Sequence, residues 1–107
     1  MNWKLSFYPE AADDFARLDG SQKKQVQKSL LKIQSNPLPD YQGGYGKPLT
    51  GNLSGFLKVK LKKLGIRFVY ELVQREDTIE IVIIGLRADS IVYEEAARRI
   101  LKHTDHK

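Results

Sequence analysis

The sequence predicts an α+β fold: a mainly antiparallel four-stranded sheet with an N-terminal helical hairpin and a C-terminal helix, in the order β-α-α-β-β-β-α. Three observations predict it. Apolar and polar residues alternate at the start of the chain and again from Phe56 to Lys62, the period of a strand with one buried face. Two segments of helical spacing lie between those strands. The run Ile79-Glu80-Ile81-Val82-Ile83-Ile84 is nearly all apolar, as in a strand buried on both faces.

Trp3, Leu5 and Phe7 alternate with polar residues, so residues 2–8 read as the first strand. Pro9 opens a helix over about 9–19, since proline suits a first helical turn. Ala12, Phe15 and Leu18 mark its expected buried stripe, and Asp19-Gly20 stops it. Ser21 is positioned to cap a second helix over about 21–35, with Val26, Leu30 and Ile33 on its apolar face. Asn36-Pro37 ends the hairpin, because the residue before proline avoids the helical region. Residues 36–55 contain Pro37, Pro39 and Pro48 and glycines 43, 44, 46, 51 and 55. They read as one long loop, of a length that is often functional.

Three strands follow, over about 56–62, 66–74 and 78–84, with turns at Gly65 and at Glu76-Asp77. Faces fix the first register. Leu61 opposite Ile66 puts Val59 opposite Phe68 and Leu57 opposite Tyr70, and it sets Lys60 opposite Arg67. A slip of one residue mixes the faces and is disfavoured. Residues 85–90 form a loop, and Asp89 or Ser90 can cap a last helix over about 91–102. Residues 103–107 read as a frayed tail.

The chain has 107 residues, a length that suits one domain over 1–107. Lys and Arg number 18 against 13 Asp and Glu, an excess that suits an anionic partner. There is no cysteine, hence no disulfide, thiolate nucleophile or Cys-based metal site. No apolar run approaches a membrane span of about 20 residues, and the first residues lack the apolar segment of a signal peptide. The expectation is a cytoplasmic protein without a membrane partner.

His103 and His106 fall in the tail, and the carboxylate pairs Asp13-Asp14 and Glu94-Glu95 each split across helix faces. Solvated surface is the expectation for all of them, and neither a metal nor a cofactor is expected. What remains for chemistry is lysine, arginine and tyrosine. Lys58, Lys60 and Lys62 alternate with Leu57, Val59 and Leu61, so their side chains share one face about 6.8 Å apart. Such a row matches the charges of an RNA backbone, and it also matches a solvated, edge-protecting face. RNA carries its own nucleophile, the 2′-OH. A protein that cleaves it must align that group, stabilise charge on the phosphoryl oxygens and move two protons. Cations favour a nearby phenolate. Residue patterns alone leave a basic α+β domain suited to RNA.

The stretches Lys47-Pro-Leu-Thr-Gly-Asn-Leu-Ser-Gly-Phe-Leu-Lys-Val-Lys-Leu61, Gly65-Ile-Arg-Phe-Val-Tyr-Glu-Leu72 and Ile84-Gly-Leu-Arg-Ala-Asp-Ser-Ile-Val-Tyr93 resemble the RelE toxins of type II toxin–antitoxin systems. The order of elements resembles that family across nearly the whole chain. The resemblance implies a metal-independent endoribonuclease that cuts mRNA in the ribosomal A site and inhibits translation. Carried over residue by residue, it implies a catalytic set of Lys58, Lys60, Arg67, Arg87 and Tyr93. Tyr93 would take the 2′-OH proton, Arg87 and Lys58 would stabilise the phosphorane, and Lys60 and Arg67 would hold backbone phosphate. Lys58 or Lys60 with a lowered pKa could replace Tyr93 as base. Lys62 and Lys63 would meet ribosomal RNA. The implied partners are the ribosome and an acidic, RelB-like antitoxin. The free toxin would be a monomer, and its complex with the antitoxin a higher-order hetero-oligomer. The related ParE branch, which acts on gyrase without cleaving RNA, supplies the alternative: a non-enzymatic toxin or antitoxin-binding module on the same fold.

Overall fold

The computed structural model describes residues 3–86 and 88–104. Strand β1 (Lys4–Phe7) leads into helix α1 (Pro9–Ala16), which begins on its proline. Helix α2 (Gly20–Ser35) follows at once. The turn between them is set by Asp19, whose carboxylate accepts from the Gln22 N–H while the Gln22 side chain accepts from the Asp19 N–H. This reciprocal cap satisfies two donors that would otherwise be orphaned. Asp19, not Ser21, is therefore the cap.

The predicted four strands are five. Within the proline- and glycine-rich segment, β2 (Lys47–Pro48) pairs antiparallel with the start of β3 (Leu57–Leu61). Two residues, one a proline, carry no periodicity, so no pattern announced this strand. Proline is tolerated there because β2 lies at the sheet edge. Strands β4 (Ile66–Val73) and β5 (Thr78–Gly85) complete the meander, and helix α3 (Asp89–Thr104) closes the chain. The sheet order is β1-β5-β4-β3-β2, with only β1–β5 parallel. The β3–β4 register is the expected one: Leu57 with Tyr70, Val59 with Phe68, Lys60 with Arg67, Leu61 with Ile66. Strand β5 is interior, as its apolar run implied.

The sheet is covered on both faces. Leu61 lines a cleft with Gln25 of α2. On the same face, the buried Tyr70 hydroxyl donates to the Pro37 carbonyl just beyond α2, at 2.9 Å. Gly46 lies directly over that hydroxyl: a Cβ there would meet Tyr70 Oη at 2.2 Å. The long segment is thereby pinned to the core. On the opposite face α3 crosses the sheet, with Val92 and Ala96 buried beneath it.

Two expectations for the helices change. In α1 the inward residues are Ala11 and Asp14, with Phe15 half-buried and Ala12 exposed, and Leu18 is buried just past the helix end. Asp14, expected on solvated surface, is 8% exposed. Its carboxylate accepts from the Ile84 N–H at 3.0 Å and from both terminal nitrogens of Arg99 at 2.7 and 3.2 Å, and Arg99 also donates to the Val82 carbonyl. The reason is backbone accounting: buried N–H and C=O groups require partners. Strand β1 ends at Phe7, opposite Ile81. Val82 is an extra residue opposite the Val69–Tyr70 step. Beyond that point the Asp14–Arg99 pair supplies what a longer strand would have supplied.

Helix α3 also runs further than expected. His103 belongs to its last turn rather than to a tail, with its ring centroid 4.2 Å from that of Tyr8 and its Nε2 2.9 Å from Glu10. His106 lies outside the described residues.

Candidate active site

The alternation of β3 sends Lys58 and Lys60 to one face, and the register brings Arg67 opposite Lys60. Arg67 is in turn paired with Gly85, the last residue of β5. The chain then turns into α3, whose first residues return over this same face. Gly85 makes that return possible: a Cβ there would stand 2.6 Å from Val92 Cγ2. Three strands and a helix start thus converge on one spot.

Asp89 meets the cations there. Its Oδ2 accepts from Lys60 Nζ at 2.6 Å, and its Oδ1 lies 2.8 Å from Arg67 Nε. The Lys60 hydrogen bond, reinforced by the charges of Lys60, Arg67 and Lys58, holds the Asp89 carboxyl below the usual carboxylate range. Although Arg67 Nε and Asp89 Oδ1 are close, their geometry makes no hydrogen bond, and neither atom has another partner among the described residues. One turn on, Tyr93 presents its ring to Lys58, whose Nζ lies 5.5 Å from the ring centroid, within the range of a cation–π contact. The Tyr93 hydroxyl is covered and has no hydrogen-bond partner among the described residues.

Of the five residues expected to act, Lys58, Lys60, Arg67 and Tyr93 are brought together. Arg87 lies outside the described residues. The face is less open than a solvated row: the Arg67 side chain is only 15% exposed, beneath Asp89. Lys62 and Lys63 do not extend the row, because the strand ends at Leu61 and both sit exposed in the following turn. By sequence pattern Asp89 reads only as a helix cap. Its contacts reach back 29 residues to Lys60, and no local pattern encodes that. Among the described residues no group of three His, Cys, Asp or Glu side chains is arranged to hold a metal, and no helix is long and apolar enough to cross a membrane.

Chemically, the arrangement is suited to holding a small anion. Two lysines and an arginine surround one carboxylate, with a tyrosine at the rim.

No family model matches the chain. It is 30% identical to a RelE-like toxin protein of Escherichia coli over 94% of its length and 99% of the relative's. It is 28% identical to the mRNA interferase toxin RelE of Escherichia coli K12, over 94% of this chain and all of the toxin. A solved structure of a doubly substituted E. coli RelE in the free state superposes with a TM-score of 0.75 at 26% identity, covering 94% of this chain and 99% of that one. The same toxin bound to a peptide of its antitoxin RelB gives 0.71 at 25% identity, over 90% and 95%.

Proposed function

The chain belongs to the RelE toxin family, and from that premise we propose that it is an mRNA interferase, an endoribonuclease that cuts mRNA held in the ribosomal A site and so arrests translation. The observation that carries this reading is the convergence of Lys58, Lys60 and Arg67 on one sheet face at the start of α3. In the reaction the 2′-oxygen attacks the adjacent phosphorus and the bond to the 5′-oxygen breaks. The products are a 2′,3′-cyclic phosphate and a 5′-hydroxyl. Charge accumulates on the non-bridging oxygens, and cations fixed in place stabilise it without reorganising. Lys60 and Arg67 hold the phosphate, while Lys58 and Arg87 stabilise the phosphorane.

The proton of the 2′-OH goes to Tyr93 or to Lys58, which lies over its ring. The covered Tyr93 hydroxyl favours Lys58 unless the first turns of α3 shift to uncover it. One cation returns a proton to the leaving 5′-oxygen. The described lysines and arginine of this face can hold a phosphate but do not bend free RNA into the in-line geometry that the attack demands; a codon held by the ribosome would arrive already shaped. Exposed Lys62 and Lys63 suit contacts with ribosomal RNA phosphates. The RelB-bound relative supports an antitoxin as partner for this chain. An acidic segment that folds on binding would cover the basic face.

The test is primer extension on mRNA incubated with the purified protein, naked or on programmed ribosomes. Discrete cuts on ribosome-held mRNA alone are expected. Equal cutting of naked mRNA, or inhibition of gyrase supercoiling without any cutting, would contradict the proposal.

A further inference from the structure

Asp89 sits where a substrate phosphate would have to sit. Its carboxylate bridges Lys60 and Arg67 at 2.6 and 2.8 Å, and these are the two cations assigned above to holding phosphate. The fit is one-sided. Lys60 makes a hydrogen bond to Asp89. On the other side Arg67 Nε and Asp89 Oδ1 are both covered, close, and without a hydrogen bond to anything described. A covered guanidinium nitrogen left in this way retains a donor for an anion that fits it better. Asp89 is also free to leave. It stands at the first residue of α3, with its side chain 39% exposed, so rotation about its own side-chain bonds carries the carboxylate into water without disturbing the helix.

We infer that Asp89 is an internal counter-ion that occupies the Lys60–Arg67 phosphate site in the free protein and is displaced by the RNA backbone. This rests on the site reading given above. The carboxylate keeps the two cations folded and paired while no RNA is present. It also makes the site selective, because an anion must outcompete it. Isolated anions and loosely presented RNA are disfavoured, whereas a phosphate delivered with many other contacts is not.

The experiment measures binding of a fluorescent single-stranded oligoribonucleotide, 2′-O-methylated throughout so that it cannot be cut. Parent, Asp89→Asn, Lys60→Ala, Arg67→Ala and the two double variants combining Asp89→Asn with either change are titrated by anisotropy at several salt concentrations. Removing one competing charge frees one phosphate contact. For single strands this steepens the slope of log K against log salt by about 0.7 and strengthens binding about fivefold at 0.1 M salt. That gain should vanish in both double variants. A second variant, Asp89→Ser, which removes the charge and keeps a small polar side chain in the first turn of α3, should show the same gain and so guards against an effect peculiar to asparagine. Unchanged or weaker binding by both Asp89 variants, with Lys60→Ala and Arg67→Ala still impaired, would overturn the inference and leave the site reading standing. No effect of Lys60→Ala and Arg67→Ala on binding would overturn both.

Discussion

Two ionic clusters tie α3 to the sheet, and they are built from the same residue types to different ends. At the middle of the helix, Asp14 and Arg99 have side chains 8% and 11% exposed. Every nitrogen of the Arg99 guanidinium is bonded, and the carboxylate of Asp14 serves both Arg99 and the Ile84 N–H. At its start, Asp89 is shared by Lys60 and Arg67, with Lys58 nearby, and a buried donor on Arg67 has no hydrogen-bond partner among the described residues. The first cluster is largely buried and bonded at every guanidinium nitrogen, which suits a fastener. The second gathers more cations than carboxylates among the described residues and is more exposed, which suits it to an anion. Composition does not separate them; the partners left unmet do.

The comparison breaks most visibly at the fastener. Asp14→Ala strips two hydrogen bonds from Arg99, which keeps the Glu95 carboxylate and the Val82 carbonyl, and leaves the Ile84 N–H without its acceptor. It should cost about 1–3 kcal/mol, read as a lower urea midpoint. Cleavage per folded molecule should be preserved.

At the site the effects reverse. Lys60→Ala should lower the cleavage rate by about 10²–10³-fold, the usual loss for one fixed charge-stabilising group. Its stability should change by at most about 1 kcal/mol, because a pair this exposed contributes little. Arg67→Ala should lose similar activity with a larger shift in the melt, since Arg67 is the more deeply covered of the two.

Gly85 lies between the two clusters. Gly85→Ala pushes a Cβ to within 2.6 Å of Val92 Cγ2 and should cost about 1–3 kcal/mol by overpacking. Because the clash displaces the first turn of α3, cleavage per folded molecule should fall too, unlike the Asp14 variant. Equal retention in both variants would deny that the start of α3 belongs to the site.

The smallest effect concerns the far end of α3. The hydrogen bond from His103, followed by one from its own backbone, pulls the Glu10 pKa down to about 2 from 4.5. A folded-state pKa below the unfolded one means that the unfolded chain binds more protons in between. Stability from this contact is therefore fully present above pH 4.5 and lost as pH falls toward 2. Thermal melts across that window should fall less steeply for Glu10→Gln than for the parent. Parallel slopes would remove Glu10 from the account.

The sheet was legible because parity is rigid. Once Leu57, Val59 and Leu61 are assigned inward, Lys58 and Lys60 have one face available, and matching Ile66, Phe68 and Tyr70 fixes Arg67 beside them. The convergence of Lys58, Lys60 and Arg67 was legible for the same reason. What the sequence concealed depends on encounters between distant segments. Asp14 and Arg99 are 85 residues apart, so no local pattern marks them as partners, and Asp14 reads as a surface charge on its own helix. Asp89 resembled a cap because its cations lie on other strands. The edge strand β2 is too short to show a period, and His103 looked like tail because its partners, Glu10 and Tyr8, are at the other end of the chain.

The most direct test is cleavage of ribosome-held mRNA, measured per folded molecule, for two variants side by side. These are the Lys58→Ala, Lys60→Ala double variant and Asp14→Ala, each at a temperature where its melt shows it folded. The account predicts that the first keeps its fold and loses its cuts, while the second loses stability and keeps them. Cutting at the parent rate by the lysine variant, or loss of cutting by folded Asp14→Ala, would contradict it.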